Sequence, residues 1–214
     1  MKPSRIILVL IVVAVGLFFA LAPRMAEERM NRVLPHEPVT VSPQAAALHA
    51  DLVVGDLHAD SLLWRRDLLL RADRGHVDLP RLREGNVALQ VFTAVTKTPA
   101  GMNYEENASD ARDNITLLAM AQRWPSRTWD SLAERALYQA AKLRRFAEQA
   151  PESLQLLRQG GDVPRLLAAR AAGAETVGAV LGIEGAHALD GDLANVERLY
   201  DAGYRMVGLH HFFD

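Results

Sequence analysis

His58 and Asp60 stand two residues apart in VVGDLHADSLLW (residues 53–64), at the end of a short run rich in apolar and β-branched residues. On a strand, side chains alternate between faces, so these two project to the same side about 6 to 7 Å apart along the chain. One cation can bridge that separation. Glu184 closes a second apolar run, TVGAVLGIE (residues 176–184). A carboxylate directly after a buried strand carries a desolvation cost unless a cation or hydrogen bonds offset it. A rim carboxylate hydrogen-bonded to loop amides is the competing reading, and it stays open at this point. His210 and His211 follow a third run, RMVGL. Adjacent strand residues point to opposite faces, so only one of this pair can enter the cavity that the others share. The chain has no cysteine, which excludes disulfides, thiolate metal sites and cysteine nucleophiles. Any metal is therefore held by histidine and carboxylate.

The elements that must carry these residues alternate between strand and helix. Leu52 to Leu57, Val87 to Val95, Leu154 to Leu157, Thr176 to Ile183 and Arg205 to Leu209 read as strands. Asn107 to Trp124, Ser131 to Gln149, Asp162 to Ala172 and Leu193 to Ala202 read as helices, the third capped by Asp162 and stopped by Gly173, the last ended by Gly203. Near-continuous apolar strands separated by helices predict a parallel sheet covered on its faces. In a closed (β/α)8 barrel and in an open doubly wound sheet alike, functional groups gather at the carboxyl ends of the strands. Three of the strands end in such groups. No glycine-rich phosphate loop follows an early strand, so the TIM-type barrel is the better reading. His187 reads equally as a capping side chain or as a neighbour of the site. His36, His49 and His76 lie in polar surroundings and are read as having no chemical role, and Trp124 and Trp129 as packing residues flanking a turn.

The amino terminus is a separate physical object. Ile6 to Ala22 is an uninterrupted apolar run of 17 residues behind Lys2 and Arg5, near the short end of a membrane span and longer than most signal-peptide cores. Ala20-Leu21-Ala22 resembles a small-x-small cleavage site, but Pro23 would follow the scissile bond. Residues 1–22 are read as a membrane anchor in preference to a removed signal, residues 23–44 as a proline-bearing tether, and residues 45–214 as the folded body. The positive-inside rule places that body outside the cytoplasm, periplasmic or otherwise extracytoplasmic, although Arg24, Arg29 and Arg32 oppose this. Membrane lipid is thus an expected partner. With 24 Lys and Arg against 26 Asp and Glu, and no basic stripe, nucleic acid is not. A homodimer is left open.

Four blocks in order, GDLHADSLLW, HVDLPRLREGNVALQVFTAV, GAVLGIEGAHAL and GYRMVGLHHFFD, together resemble the membrane dipeptidase (renal dipeptidase) family of zinc metallopeptidases, in its bacterial branch, from about Asp51 onward. The resemblance implies a barrel of the metal-dependent hydrolase kind, two Zn2+ ions per complete protein, and hydrolysis of a dipeptide substrate. It makes His58 and Asp60 metal ligands of the first zinc, Glu184 a metal ligand bridging both and a catalytic residue, and His211 a catalytic, substrate-binding histidine near the scissile carbonyl. Position 210, a small residue in the family, is histidine here and receives no role. Relative to that pattern the sequence covers about the first five strands of the barrel, so the function expected is that of the complete protein and the 214-residue chain itself is expected to be inactive. The residues fix metals better than substrate. Another amide, lactone or phosphoester metal hydrolase on the same barrel, or a membrane-tethered non-catalytic binding protein, are the alternatives.

Overall fold

A computed structural model describes residues 3 to 213. In chain order the elements are α1 (Pro3–Met30), α2 (Pro43–Asp51), β1 (Val54–Ala59), α3 (Leu79–Glu84), β2 (Val87–Val95), α4 (Asn114–Ala121), α5 (Arg127–Asp130), α6 (Leu132–Gln149), β3 (Leu154–Leu156), α7 (Asp162–Ala171), β4 (Val177–Glu184), α8 (Ala194–Ala202) and β5 (Tyr204–Val207). Short 3-10 turns at Ser61–Leu63 and Ala186–Leu189 follow β1 and β4.

All strand pairings are parallel, as apolar strands separated by helices require. β2 lies between β1 and β4, and Val95 at its end pairs with Glu184. The far edge of β4 is shared end to end: β3 pairs with Val177–Ala179 and β5 with Leu181–Ile183. Among the described residues the sheet stays open, with β1 bonded only to β2 and β5 only to β4. The α/β fold with a parallel sheet agrees with the sequence reading, and the five strands present do not close a barrel. The main core lies under β2 and β4, where Phe92, Val177, Ala179 and Leu181 meet Leu143 and Ala140 of α6. A side chain at Gly178 would collide with Leu166 of α7 and with Leu157, so glycine there allows the helix its close approach.

Several boundaries differ from those read in the sequence, each for a local reason. β1 runs to Ala59, so His58 is a strand residue. α4 begins at Asn114 rather than Asn107 because the Asp113 carboxylate accepts the amides of Ile115 and Thr116, which fixes the cap there. Asp162 is the first residue of α7, not its cap, and its carboxylate turns back to accept the amides of Arg158 and Gln159. α1 continues through Pro23 to Met30, so residues 23–30 are helical and not part of an extended tether. Their last turns rest on the body. Glu27 is buried 3.5 Å from both Arg66 and Arg74, and the Gly75 amide donates to the Asn31 carbonyl.

Candidate metal centre

β1 and β4 deliver the candidate ligands from either side of β2. His58, Asp60 and Glu184 come together with donor atoms all within 4.8 Å of one another, although Glu184 is more than 120 residues further along the chain. His58 Nε2 lies 3.4 Å from Asp60 Oδ1 and makes a short contact with Glu184 Oε1. His211 Nε2 lies 2.8 Å from the other oxygen, Glu184 Oε2. One carboxylate therefore faces two imidazoles, one through each oxygen. Glu184 and His211 are largely buried, at 11% and 14% side-chain exposure, whereas the His58 ring opens to solvent.

The electrostatics follow from that crowding. Burial works to raise the Glu184 carboxyl, but the hydrogen bond from His211 and the charges of His211 and His58 outweigh it and hold the group below the usual carboxylate range. Asp60 moves the other way, raised first by burial and then by Glu184, against a hydrogen bond from the Thr93 hydroxyl. Two carboxylates converging on one imidazole, with one of them resisting ionisation, form a donor set that a cation would relieve. His211 Nδ1 is buried without a partner. Imidazole nitrogen and carboxylate oxygen are ligands that zinc accepts, so the residues present fit a divalent metal.

α6 fixes the loops that carry the ligands. The buried Lys142 ammonium donates to the carbonyls of Leu62 and Trp64, and Gln122 Nε2 donates at 2.9 Å to the carbonyl of Leu63 between them. Three consecutive carbonyls, beginning two residues after Asp60, are thus satisfied by side chains. At the end of β2, Gln139 Nε2 donates to Val95 O at 3.0 Å and Arg135 to Thr96 O at 2.7 Å. After β4, the Asp190 carboxylate accepts the Ser131 hydroxyl at 2.6 Å and the amides of Leu132 and Ala133, joining the Glu184 loop to the first turn of α6. Arg135 is almost fully buried, and its guanidinium also donates to Asp113, Thr116 Oγ1 and the carbonyls of Thr128 and Trp129.

A cavity of about 610 Å³ opens beside the ligands. Asp60, Glu184 and His211 form its polar end, and Leu63, Trp64 and Ile115 are among its apolar walls. Met30 and Asn31, at the end of α1, and His76 also line it. Asn31 Nδ2 is buried there with no partner. Neither Asn31 nor Thr93 stands out in the sequence, because a lone asparagine after a helix and a threonine inside a strand have commonplace readings. Of the adjacent histidines, His211 meets Glu184 while His210 Nε2 turns to the Phe213 carbonyl. His187 sits 6.3 Å from His211 between ring centres, and burial with its positive neighbours pushes its pKa down to about 4. His36 bonds to the neighbouring Glu37 carbonyl, and the exposed His49 offers its carbonyl to Asn86. Trp124 packs on Tyr138, and Trp129 Nε1 donates to the Trp124 carbonyl.

A parallel α/β sheet with ionisable side chains gathered at its carboxyl edge is the general arrangement of an α/β enzyme site. Residues 42–214 match the family model of membrane dipeptidase, peptidase family M19. The chain belongs to that family. Solved structures similar to it include a dipeptidase AC of metallopeptidase family M19 (22% identity, TM-score 0.52, covering 74% of this chain and 43% of that one). A metallo peptidase from Rhodobacter sphaeroides, solved with a phosphinate mimic of the dipeptide L-Ala-D-Ala, is 21% identical with a TM-score of 0.53 over 76% of this chain and 46% of its own. The probable dipeptidase PvdM from Pseudomonas aeruginosa is 16% identical with a TM-score of 0.56 over 78% and 37%. The chain spans less than half the length of each of these structures. No curated protein matches it.

Proposed function

We propose that this chain belongs to a metal-dependent dipeptidase, in which His58, Asp60 and Glu184 hold zinc and the whole protein hydrolyses dipeptides. The observation that carries the reading is the convergence of these three side chains at the carboxyl ends of β1 and β4, in a chain of the M19 family. Glu184 would offer the metal its oxygen on the His58 side, while its other oxygen accepts from His211. The described residues group their ligands around one position, so the chain's own residues account for one zinc. When bound, the metal supplies Lewis acidity, lowering the pKa of water and polarising the scissile carbonyl. The protein side of the chemistry falls to three features. His211 offers a proton on Nε2 beside Glu184, where it can stabilise an oxyanion as negative charge develops. Asp60 is held in place by the Thr93 hydroxyl. The cavity, about 610 Å³ and mostly apolar beyond its polar end, falls in the size range of small-molecule sites and excludes water from one side of a bound dipeptide.

α1 carries an 18-residue stretch with mean hydropathy of 3.0, 6% of it buried, which supports a membrane anchor; the charges of Lys2 and Arg5 are the argument for an extracytoplasmic body. Carbonate-resistant membrane association with an intact amino terminus is the expected result, and a soluble protein beginning at Pro23 refutes the anchor. For the chemistry, the test is a dipeptide panel that includes L-Ala-D-Ala, assayed on the full-length protein beside lactone and phosphoester substrates. Turnover of dipeptides that a chelator abolishes and zinc restores is expected. Turnover confined to lactones or phosphoesters, or dipeptide hydrolysis that survives metal removal, overturns the reading.

A further inference from the structure

A second cavity, of about 440 Å³, lies on the other side of the loop that follows Asp60, between that loop, the end of α4 and the face of α6. Its charge is lopsided. Arg65, Arg66, Arg123, Lys142 and Arg145 line it against a single acid, Asp67, in a chain whose net charge is −2. Arg66 is satisfied elsewhere, by the Arg74 carbonyl and by Glu27, and Lys142 by the two carbonyls described above. Arg65, Arg123 and Arg145 are exposed, and among the described residues none of the three guanidinium groups has an ion pair or a hydrogen bond. Arg123 reaches this rim from the left-handed turn, φ 59°, that ends α4, where the Trp124 amide donates to the Ala119 carbonyl. Three guanidiniums that line one cavity with no acid paired to them favour an anion there, and planar guanidinium forks match phosphate oxygens.

The place of the cavity identifies the anion. The Arg123 guanidinium lies over the ring of Phe19, 5.7 Å from its centre, and Phe19 belongs to the apolar run of α1, three residues from the end of that run. Arg65 and Arg66 also line a neighbouring cleft whose other walls are Ala20, Pro23, Arg24, Glu27 and Arg74. The arginines in that cleft are neutralised locally, Arg24 by Glu28 and Arg74 by Asp73, so the uncompensated charge is concentrated in the larger cavity. Its remaining walls are Gln122, Gln149, Trp124, Tyr138 and Phe146, and Trp and Tyr are the rings that settle at headgroup depth. A basic cavity with an aromatic wall, set at the level where an apolar helix leaves the bilayer, is built for the phosphate of an anionic lipid.

We propose that this cavity binds the headgroup phosphate of an anionic phospholipid in the leaflet nearest the body, through Arg65, Arg123 and Arg145. The site rests on the reading of α1 as a retained anchor. It would seat the body against the bilayer by the same loop that carries Asp60.

The test uses the 214-residue chain in nanodiscs of phosphatidylcholine with or without phosphatidylglycerol, and native mass spectrometry of lipid retained per chain. One phosphatidylglycerol should stay bound in preference to phosphatidylcholine, and the chain should melt at a higher temperature in discs containing it. Each basic residue near a membrane surface contributes roughly a fivefold preference, so R65Q/R123Q/R145Q together should weaken retention on the order of 100-fold. R65K/R123K/R145K, which keeps the charge and loses the fork, should retain a measurable part of it and serves as the control for folding. Millimolar inorganic phosphate should not displace the lipid, and displacement would reassign the cavity to a soluble anion. Failure of the chain to enter the disc overturns the anchor and the headgroup site together. Entry with no preference for phosphatidylglycerol, or an unchanged preference in the glutamine variant, overturns the headgroup site alone.

Discussion

Glu184→Gln is the sharpest perturbation of the candidate centre because it keeps shape and removes charge. The parent site offers two carboxylates and one imidazole to a dication, and the variant offers one carboxylate fewer. Glu184 is only 11% exposed, so solvent screens it weakly. At an effective dielectric constant of about 20, a unit charge about 4 Å from a dication is worth about 8 kcal/mol. Roughly half of this is returned, because the variant no longer buries a carboxylate and its amide oxygen remains a weak ligand. A net loss of about 4 kcal/mol is a factor of about 10³ in zinc affinity. The assay is competition with a chromophoric chelator on the chain in detergent at pH 7.5, with circular dichroism to establish that the fold is kept. In the full-length protein the same substitution should lower dipeptide hydrolysis by several orders of magnitude. Zinc affinity within tenfold of the parent would refute the assignment of Glu184 as a ligand.

His211→Ala should behave differently, keeping zinc affinity within about tenfold while the full-length protein loses mostly kcat; a loss of metal as large as that of Glu184→Gln would make His211 a ligand instead. Arg135→Met should cost about 3–5 kcal/mol in urea unfolding, since it strands the Asp113 carboxylate and several buried carbonyls at once; a cost below about 1 kcal/mol would show that the network relaxes. Burial raises the Asp113 carboxyl, but the Thr98 amide, Arg135 and the Thr116 hydroxyl outweigh it and hold its pKa below the usual value of 3.8. Its contribution is therefore complete above about pH 4 and disappears as pH falls through the lower folded value, so Asp113→Asn should flatten the acid limb of stability against pH. Lys142 is pushed down to about 7 by burial and by Arg145, from 10.5. Between those values the unfolded chain binds more protons than the folded one, so stability should rise with pH from about 7 to 10.5, and Lys142→Met should abolish that slope in melts at pH 7.5 and 9.5.

Where the sequence could be read, a strong local signal had no competitor. β2 occupies Val87–Val95 as read, because nine consecutive strand-compatible residues are bounded by Gly85-Asn86 and by the polar Lys97. His58 and Asp60 meet as their spacing led one to expect, whereas β5 stops at Val207, so His211 and His210 part company in the loop beyond it and not by strand alternation. What stayed hidden was long-range and polar. Arg135, Gln139 and Lys142 recur at intervals of four and three on α6, a spacing that on an isolated helix reads as a solvated stripe. Only the fold shows that this stripe is buried and that its partners are carbonyls at strand ends. The helical course of residues 23–30 was masked in the same way, by Pro23 and by charges that find Arg66 and Arg74 only in three dimensions.

That buried polar stripe explains how a centre split across the sheet can hold its geometry. His58 and Asp60 come from β1 and Glu184 from β4, with β2 between them, so no direct strand pairing fixes the ligands against each other. Metal ligands need placement within about half an ångström to bind tightly. α6 meets this need as a rigid ruler, because residues on one helical face keep fixed separations of three or four positions. Lys142 grips the loop after Asp60, Gln139 and Arg135 grip the end of β2, and the first turn at Ser131 is gripped by Asp190 from the loop after Glu184. The Tyr204 hydroxyl adds β5 to the same helix by donating to the Ala136 carbonyl at 2.7 Å. Each contact satisfies a group that burial would otherwise leave unpaired, so slipping any one loop along the helix strands a buried donor or acceptor at about 1–3 kcal/mol. The register of the strand ends is thereby held by polar satisfaction, where apolar packing alone would tolerate a slide.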